Sequence, residues 1–193
     1  MSAGGSPFPL GWTLALAGLA IAPVQVVLAT EYLSLEGAQK ALFPQADTFT
    51  EVVLPLSPAQ RDEVARLAGP QPPHRSLRVW KAMHGGELVG YVFVDEVIGR
   101  GDFITYAAGI DATGHLGPLE VLAYRESHGG EIRNEGWRRQ FAGREGLGQL
   151  RVRADIKNIA GATLSCEHVT EGVRWLVALW QVALRPGTAA SAA

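Results

Sequence analysis

Cysteine is almost missing from this chain: Cys166 is the one thiol in 193 residues. A single thiol excludes an internal disulfide and a cysteine zinc site. An excess of charge of either sign is missing as well. Lys and Arg number 17 against 19 Asp and Glu, a formal net charge of −2. That balance gives no electrostatic footprint for nucleic acid, which is not an expected partner. The five histidines, His74, His84, His115, His128 and His168, lack the paired spacing of metal ligands, and most fall in turn-forming stretches. They are expected at the surface, and no metal site is expected. No Ser-His-Asp order with a nucleophile elbow is present. The glycine-rich run ending at Gly148 lacks a preceding strand and a following Lys-Ser/Thr, so it is not read as a phosphate loop. No internal repeat occurs, and residues 188–193, a small-residue tract, are expected to form a disordered tail.

Charge is also missing locally. Residues 10–29 contain no Asp, Glu, Lys or Arg. Residues 10–22 have the length of a signal-peptide apolar core, and Val27, Leu28 and Ala29 resemble a small-residue cleavage site. The whole run also reaches the minimum length of a spanning helix. Both readings stand, a removable leader or an anchor, although residues 1–9 carry no basic side chain. Pro9, Pro23 and Gln25 argue against a buried core helix. The expected organisation is therefore a leader or anchor over residues 1–30, one domain over 31–185 and a tail over 186–193. The domain is expected outside the cytoplasm.

With 47% hydrophobic residues, the chain can fill a core. Ser34 is expected to cap a short helix carrying Leu35, Ala38 and Leu42, closed by Pro44. Ser57, Pro58 and Gln60 read as a capping box with proline at the first helical position, and Val64 and Leu67 lie on that helix's apolar face. Residues 69–73, with three prolines, form a rigid connector. Four strands follow, over 77–83, 87–97, 102–110 and 119–124. His84, Gly85 and Gly86 turn the first pair, and Asp111 to Gly114 turn the second. Helices before and after four antiparallel strands predict an α+β domain built on a curved sheet.

The last helix organises the rest. Val169, Val173, Leu176, Val177, Trp180 and Leu184 recur at spacings of three and four, and Arg185 with Pro186 marks the stop. Ser165 is the expected N-cap, with Glu167 in the first turn. Before it, Gly161, Ala162 and Thr163 let another group approach the backbone where first-turn N–H groups favour an anion. An ordinary capped helix start fits the same spacing, so these residues alone leave both readings open.

The stretch Ile159, Ala160, Gly161, Ala162, Thr163, Leu164, Ser165 resembles the Ser/Thr-Gly-Ala-Thr flavinylation motif of the FMN-binding domain family. That family includes the periplasmic FMN subunits of the sodium-translocating NADH:quinone reductase and of the Rnf complex. The resemblance implies FMN carried through a phosphoester on Thr163, installed from FAD by a flavin transferase. Gly161, Ala162, Leu164 and Ser165 would surround the attachment. Two positions depart from the motif: Ala160 stands where Ser or Thr is usual, and Lys157 stands at the acidic position, with Asp155 two residues earlier.

Upstream, Glu126, Ser127, His128, Gly129, Gly130 and Glu131 place a glycine pair among charged side chains at a strand's end. A plain loop and a ligand-bordering loop read equally well from these residues. The resemblance aligns them with the loop that borders the flavin in the respiratory subunits, with His128 and Gly130 replacing the usual Pro and Leu. Trp137 to Phe141 reads as a short aromatic-basic helix. Cys166, one turn beyond Thr163, reads as a small buried apolar residue. The resemblance implies an exported electron carrier needing no catalytic acid or base, with a membrane or periplasmic redox partner and possible membrane association through residues 10–29. A flavin-free binding or regulatory module of the same fold is the alternative that Ala160 and Lys157 favour.

Overall fold

The computed structural model describes Met1 and residues 30–71, 76–125 and 130–186. The leader-or-anchor run at 10–29, the tail beyond 186, His74, and Glu126 to Gly129 of the loop lie outside the described residues. No helix among those described is long and apolar enough to cross a membrane.

Six antiparallel strands form one sheet in the order β1-β6-β5-β4-β3-β2. They are β1 (Thr30–Glu31), β2 (Thr48–Val52), β3 (Arg78–His84), β4 (Glu87–Ile98), β5 (Phe103–Asp111) and β6 (Leu116–Tyr124). The four strands expected from the sequence are β3 to β6, joined by the two expected turns. Two further strands edge the sheet. β1 pairs with the end of β6, and β2 pairs with β3 from Thr48↔Met83 to Val52↔Val79. Register slips at Ala82/Met83, Thr105/Tyr106 and Ala108/Ile110 mark bulges, which bend a strand and raise its twist.

Both faces of the sheet are covered. α1 (Leu35–Leu42) lies on one, where Ala38 packs with Ala107 and Leu122, and Phe43 with Trp80, Ala82 and Val92. α2 (Pro58–Ala68) and α4 (Thr163–Leu179) lie on the other, over Phe93, Ile104, Tyr106, Ala108 and Ile110. This double burial explains why β5 shows so little contrast between its alternating positions: each set faces a core. The helix starts follow their sequence signals. Ser34 Oγ accepts from Gly37 N at 3.1 Å. Ser57 Oγ accepts from Gln60 N at 3.2 Å while Ser57 N donates to Gln60 Oε1 at 3.0 Å, completing the capping box.

α4 is the central helix, and it is buried on more than its expected stripe. Val169, Val173, Leu176, Val177 and Trp180 are buried, and so are Thr170, Gly172 and Trp175. Gly172 permits the close approach to the sheet, because a Cβ there would lie 2.3 Å from the Tyr106 hydroxyl and 3.0 Å from Val97. The helix ends in a π turn, Trp180–Leu184, where Arg185 N donates to Trp180 O at 2.8 Å.

Candidate functional site

The segment leading into α4 is held from below. α3 (Glu135–Arg138), capped by Asn134, continues into a 3-10 turn at Arg139–Phe141, which is the short aromatic-basic helix expected there. Trp137 and Phe141 are buried edge to face at 5.2 Å. Trp137 Nε1 donates to Lys157 O at 2.9 Å, and Gln140 Oε1 accepts from Lys157 N at 2.7 Å. Arg144 Nη2 donates to Asp155 O at 2.6 Å. Both backbone groups of Lys157 are thus clamped by side chains of the preceding segment. Ile156 is fully buried beside them.

Asp155 turns toward Arg151 rather than toward Thr163. Its Oδ2 accepts from Arg151 Nε at 2.9 Å and from Arg151 N at 3.0 Å. The guanidinium hydrogen bond is the main reason its carboxyl sits below the ordinary aspartate value.

From the clamp the chain reaches the helix in five residues. Gly161 takes φ +87 with open space on its Cβ side, so glycine is required there by the backbone alone. Ala162 N donates to Ile159 O at 3.0 Å, closing the turn. α4 then begins at Thr163 with Ala162 as its cap residue, and no side chain caps it. The first intrahelical bond runs from Cys166 N to Ala162 O at 2.9 Å. The N–H groups of Thr163, Leu164 and Ser165 therefore precede the ladder, at the positive end of the helix dipole.

This geometry corrects one expectation. Ser165 is not the N-cap; it is the third helical residue, 2% exposed, with Oγ 3.5 Å from the Tyr124 hydroxyl. A Ser two residues inside a helix cannot take the extended backbone that capping needs. Thr163 is half-buried at the first helical position, and Leu164 is 43% exposed. Of the two hydroxyls in the motif, only that of Thr163 is presented at the helix start.

Asn158 was not singled out by the sequence. Its Nδ2 donates to Thr163 Oγ1 at 2.9 Å, while its Oδ1 is buried with no hydrogen-bond partner. An orphaned buried acceptor costs about 1–3 kcal/mol. Asn158 also lines a cleft of ≈ 490 Å³ with Glu131, Trp137, Gln140, Lys157 and Ile159. The cleft brings together the end of the upstream loop, the clamp and the approach to Thr163. No sequence signal identifies Asn158, because residues five apart meet only through the turn at Gly161.

Of the upstream loop, Gly130 and Glu131 are described. Gly130 opens a 3-10 turn, Gly130–Arg133, without a positive φ, and its carbonyl accepts from Arg133 Nε at 2.8 Å. A Cβ on Gly130 would meet the Arg133 guanidinium at 2.7 Å. Glu131 is exposed on the cleft.

The remaining candidates take structural places. Cys166 is fully buried, and burial pushes its thiol above the usual value, so it packs rather than reacts. The imidazoles of His84 and His115 are exposed, and His168 Nδ1 meets the Gly99 carbonyl at 3.1 Å. No metal-binding cluster occurs among the described residues.

The arrangement suits an anion joined to a hydroxyl. Thr163 Oγ1 is held at an uncapped helix start, Gly161 leaves open space on its Cβ side, and the cleft lined by Asn158 and Ile159 lies on the approach. These features fit the phosphate end of a flavin mononucleotide. Residues 99–178, from the end of β4 to the last turn of α4, match the family model described as FMN-binding domain. No curated protein matches the chain.

Proposed function

We propose, starting from a chain that over residues 99–178 belongs to the FMN-binding domain family, that it is an exported electron-transfer flavoprotein holding FMN through a phosphoester on Thr163. The observation that carries this reading is the contrast between two hydroxyls. Thr163 Oγ1 stands at the first position of an uncapped helix, and Ser165 Oγ is buried against Tyr124. The first-turn N–H groups of α4 would hold the phosphate. Gly161, Ala162 and Leu164 would leave room around it, and the loop from Glu126 to Glu131 would border the ring. When bound, the flavin supplies one- or two-electron redox chemistry, while the protein supplies tethering, orientation and tuning.

A flavin transferase is the required maturation partner, and a membrane or periplasmic redox protein is the electron-exchange partner. Export rests on the charge-free run at 10–29, which would deliver the domain to the periplasm or leave it anchored facing that side. The test is co-expression with a flavin transferase followed by denaturing electrophoresis. Yellow in-gel fluorescence of the wild type that disappears in Thr163→Val and persists in Ser165→Ala supports the reading. Fluorescence that survives Thr163→Val and disappears in Ser165→Ala assigns the wrong acceptor.

A further inference from the structure

We propose that Asn158 is a positioning residue for the acceptor hydroxyl: its side-chain amide donates to Thr163 Oγ1 and presents that oxygen to an incoming flavin dinucleotide. This rests on the reading of Thr163 as the acceptor. The donor bond is 2.9 Å long. The residue that makes it is held in place, because the carbonyl and N–H of its neighbour Lys157 are both taken by Trp137 and Gln140. The opposite end of the amide, Oδ1, is buried without a partner. An apolar side chain would fill that space without leaving an acceptor stranded, so packing alone gives no reason for asparagine.

The chemistry follows from counting lone pairs. A threonine hydroxyl has two lone pairs and one proton. More than one staggered rotamer is open to a threonine side chain, and at the first helical position no earlier turn of α4 fixes which. Donation from Asn158 occupies one lone pair, selects one rotamer and leaves the proton free. In the transfer, the second lone pair of Thr163 Oγ1 forms the bond to the FMN phosphorus of FAD held by the transferase. The pyrophosphate P–O bond breaks, its electron pair stays on the departing AMP phosphate, and the hydroxyl proton passes to a base of the transferase.

The experiment uses the full chain with purified flavin transferase and FAD, following covalent in-gel fluorescence against time at several pH values. Asn158→Leu is expected to be labelled about ten-fold more slowly or worse, with the thermal transition and the dependence on transferase concentration unchanged. Asn158→Asp is expected to respond to pH differently from wild type, because a carboxylate facing Thr163 Oγ1 accepts the hydroxyl proton whereas the protonated carboxyl donates to the oxygen. In the flavin-free protein, Thr163→Val should move the Asn158 side-chain amide resonances in an NMR spectrum. Wild-type rates in Asn158→Leu, or a wild-type pH profile in Asn158→Asp, overturn the positioning role while leaving Thr163 as acceptor. A folded wild type that is never labelled overturns both.

Discussion

Single side chains in this protein settle local geometry through counted hydrogen bonds, and Asp111 shows it most clearly. Its Oδ1 accepts from Thr113 N at 2.8 Å, Thr113 Oγ1 at 2.6 Å, Gly114 N at 2.8 Å and His115 N at 3.0 Å, fixing the turn between β5 and β6. Burial pushes this carboxyl up, but the hydroxyl and the three amide donors together hold it below the ordinary aspartate value. A depressed folded value means stability that is complete above the unfolded aspartate value, about 3.9, and lost as pH falls through the lower folded one. The stability gap between wild type and Asp111→Ala should therefore be widest near neutrality and should shrink in acid, below about pH 4. Urea unfolding at a series of pH values measures it. A gap that stays constant down to pH 2 (roughly the lower end of the acid range in which such carboxylates titrate) contradicts the assignment. The side chain is 42% exposed, so solvent screening keeps the effect modest.

Secondary elements were legible wherever packing and capping agree with local pattern. Ser34 and Ser57 name their helices because each side chain bonds the backbone three residues on. The stripe from Val169 to Trp180 names α4 because those residues face the sheet. The start of α4 was misplaced by three residues for a physical reason: a cap of Ala162 carries no side-chain signal, so the nearest serine drew the assignment. β2 was missed because an edge strand over Thr48–Val52 is mostly exposed and polar, and β1 because two residues hold no period. Gly172, inside α4, lies against β4 and β5, where a Cβ would meet Val97 and the Tyr106 hydroxyl. Gly172→Ala should destabilise the protein by about 1–3 kcal/mol through overpacking against Tyr106 and Val97, despite alanine's better helix propensity. Denaturant unfolding checks this, and a stabilised Gly172→Ala protein contradicts the described contact.

At the scale of the whole molecule, the sheet and α4 form one support that carries a short functional edge. The matched residues 99–178 contain β5, β6, α3 and α4. α1, α2, β2 and β3 precede them and complete the two cores, with α2 packed beside α4. Thr163 stands out in the sequence as a candidate because a motif resemblance carries it; Asn158 and the clamp on Lys157 do not, since they arise from the folded path between α3 and α4. We propose that this edge holds a flavin phosphate on Thr163. Mass spectrometry of peptides from protein co-expressed with a flavin transferase tests it most directly. A peptide containing Thr163 is expected to be heavier by one FMN less one water, with fragment ions placing the gain on Thr163. A folded protein whose Thr163 peptide has only its unmodified mass, in the presence of a transferase that modifies a control substrate, contradicts the account.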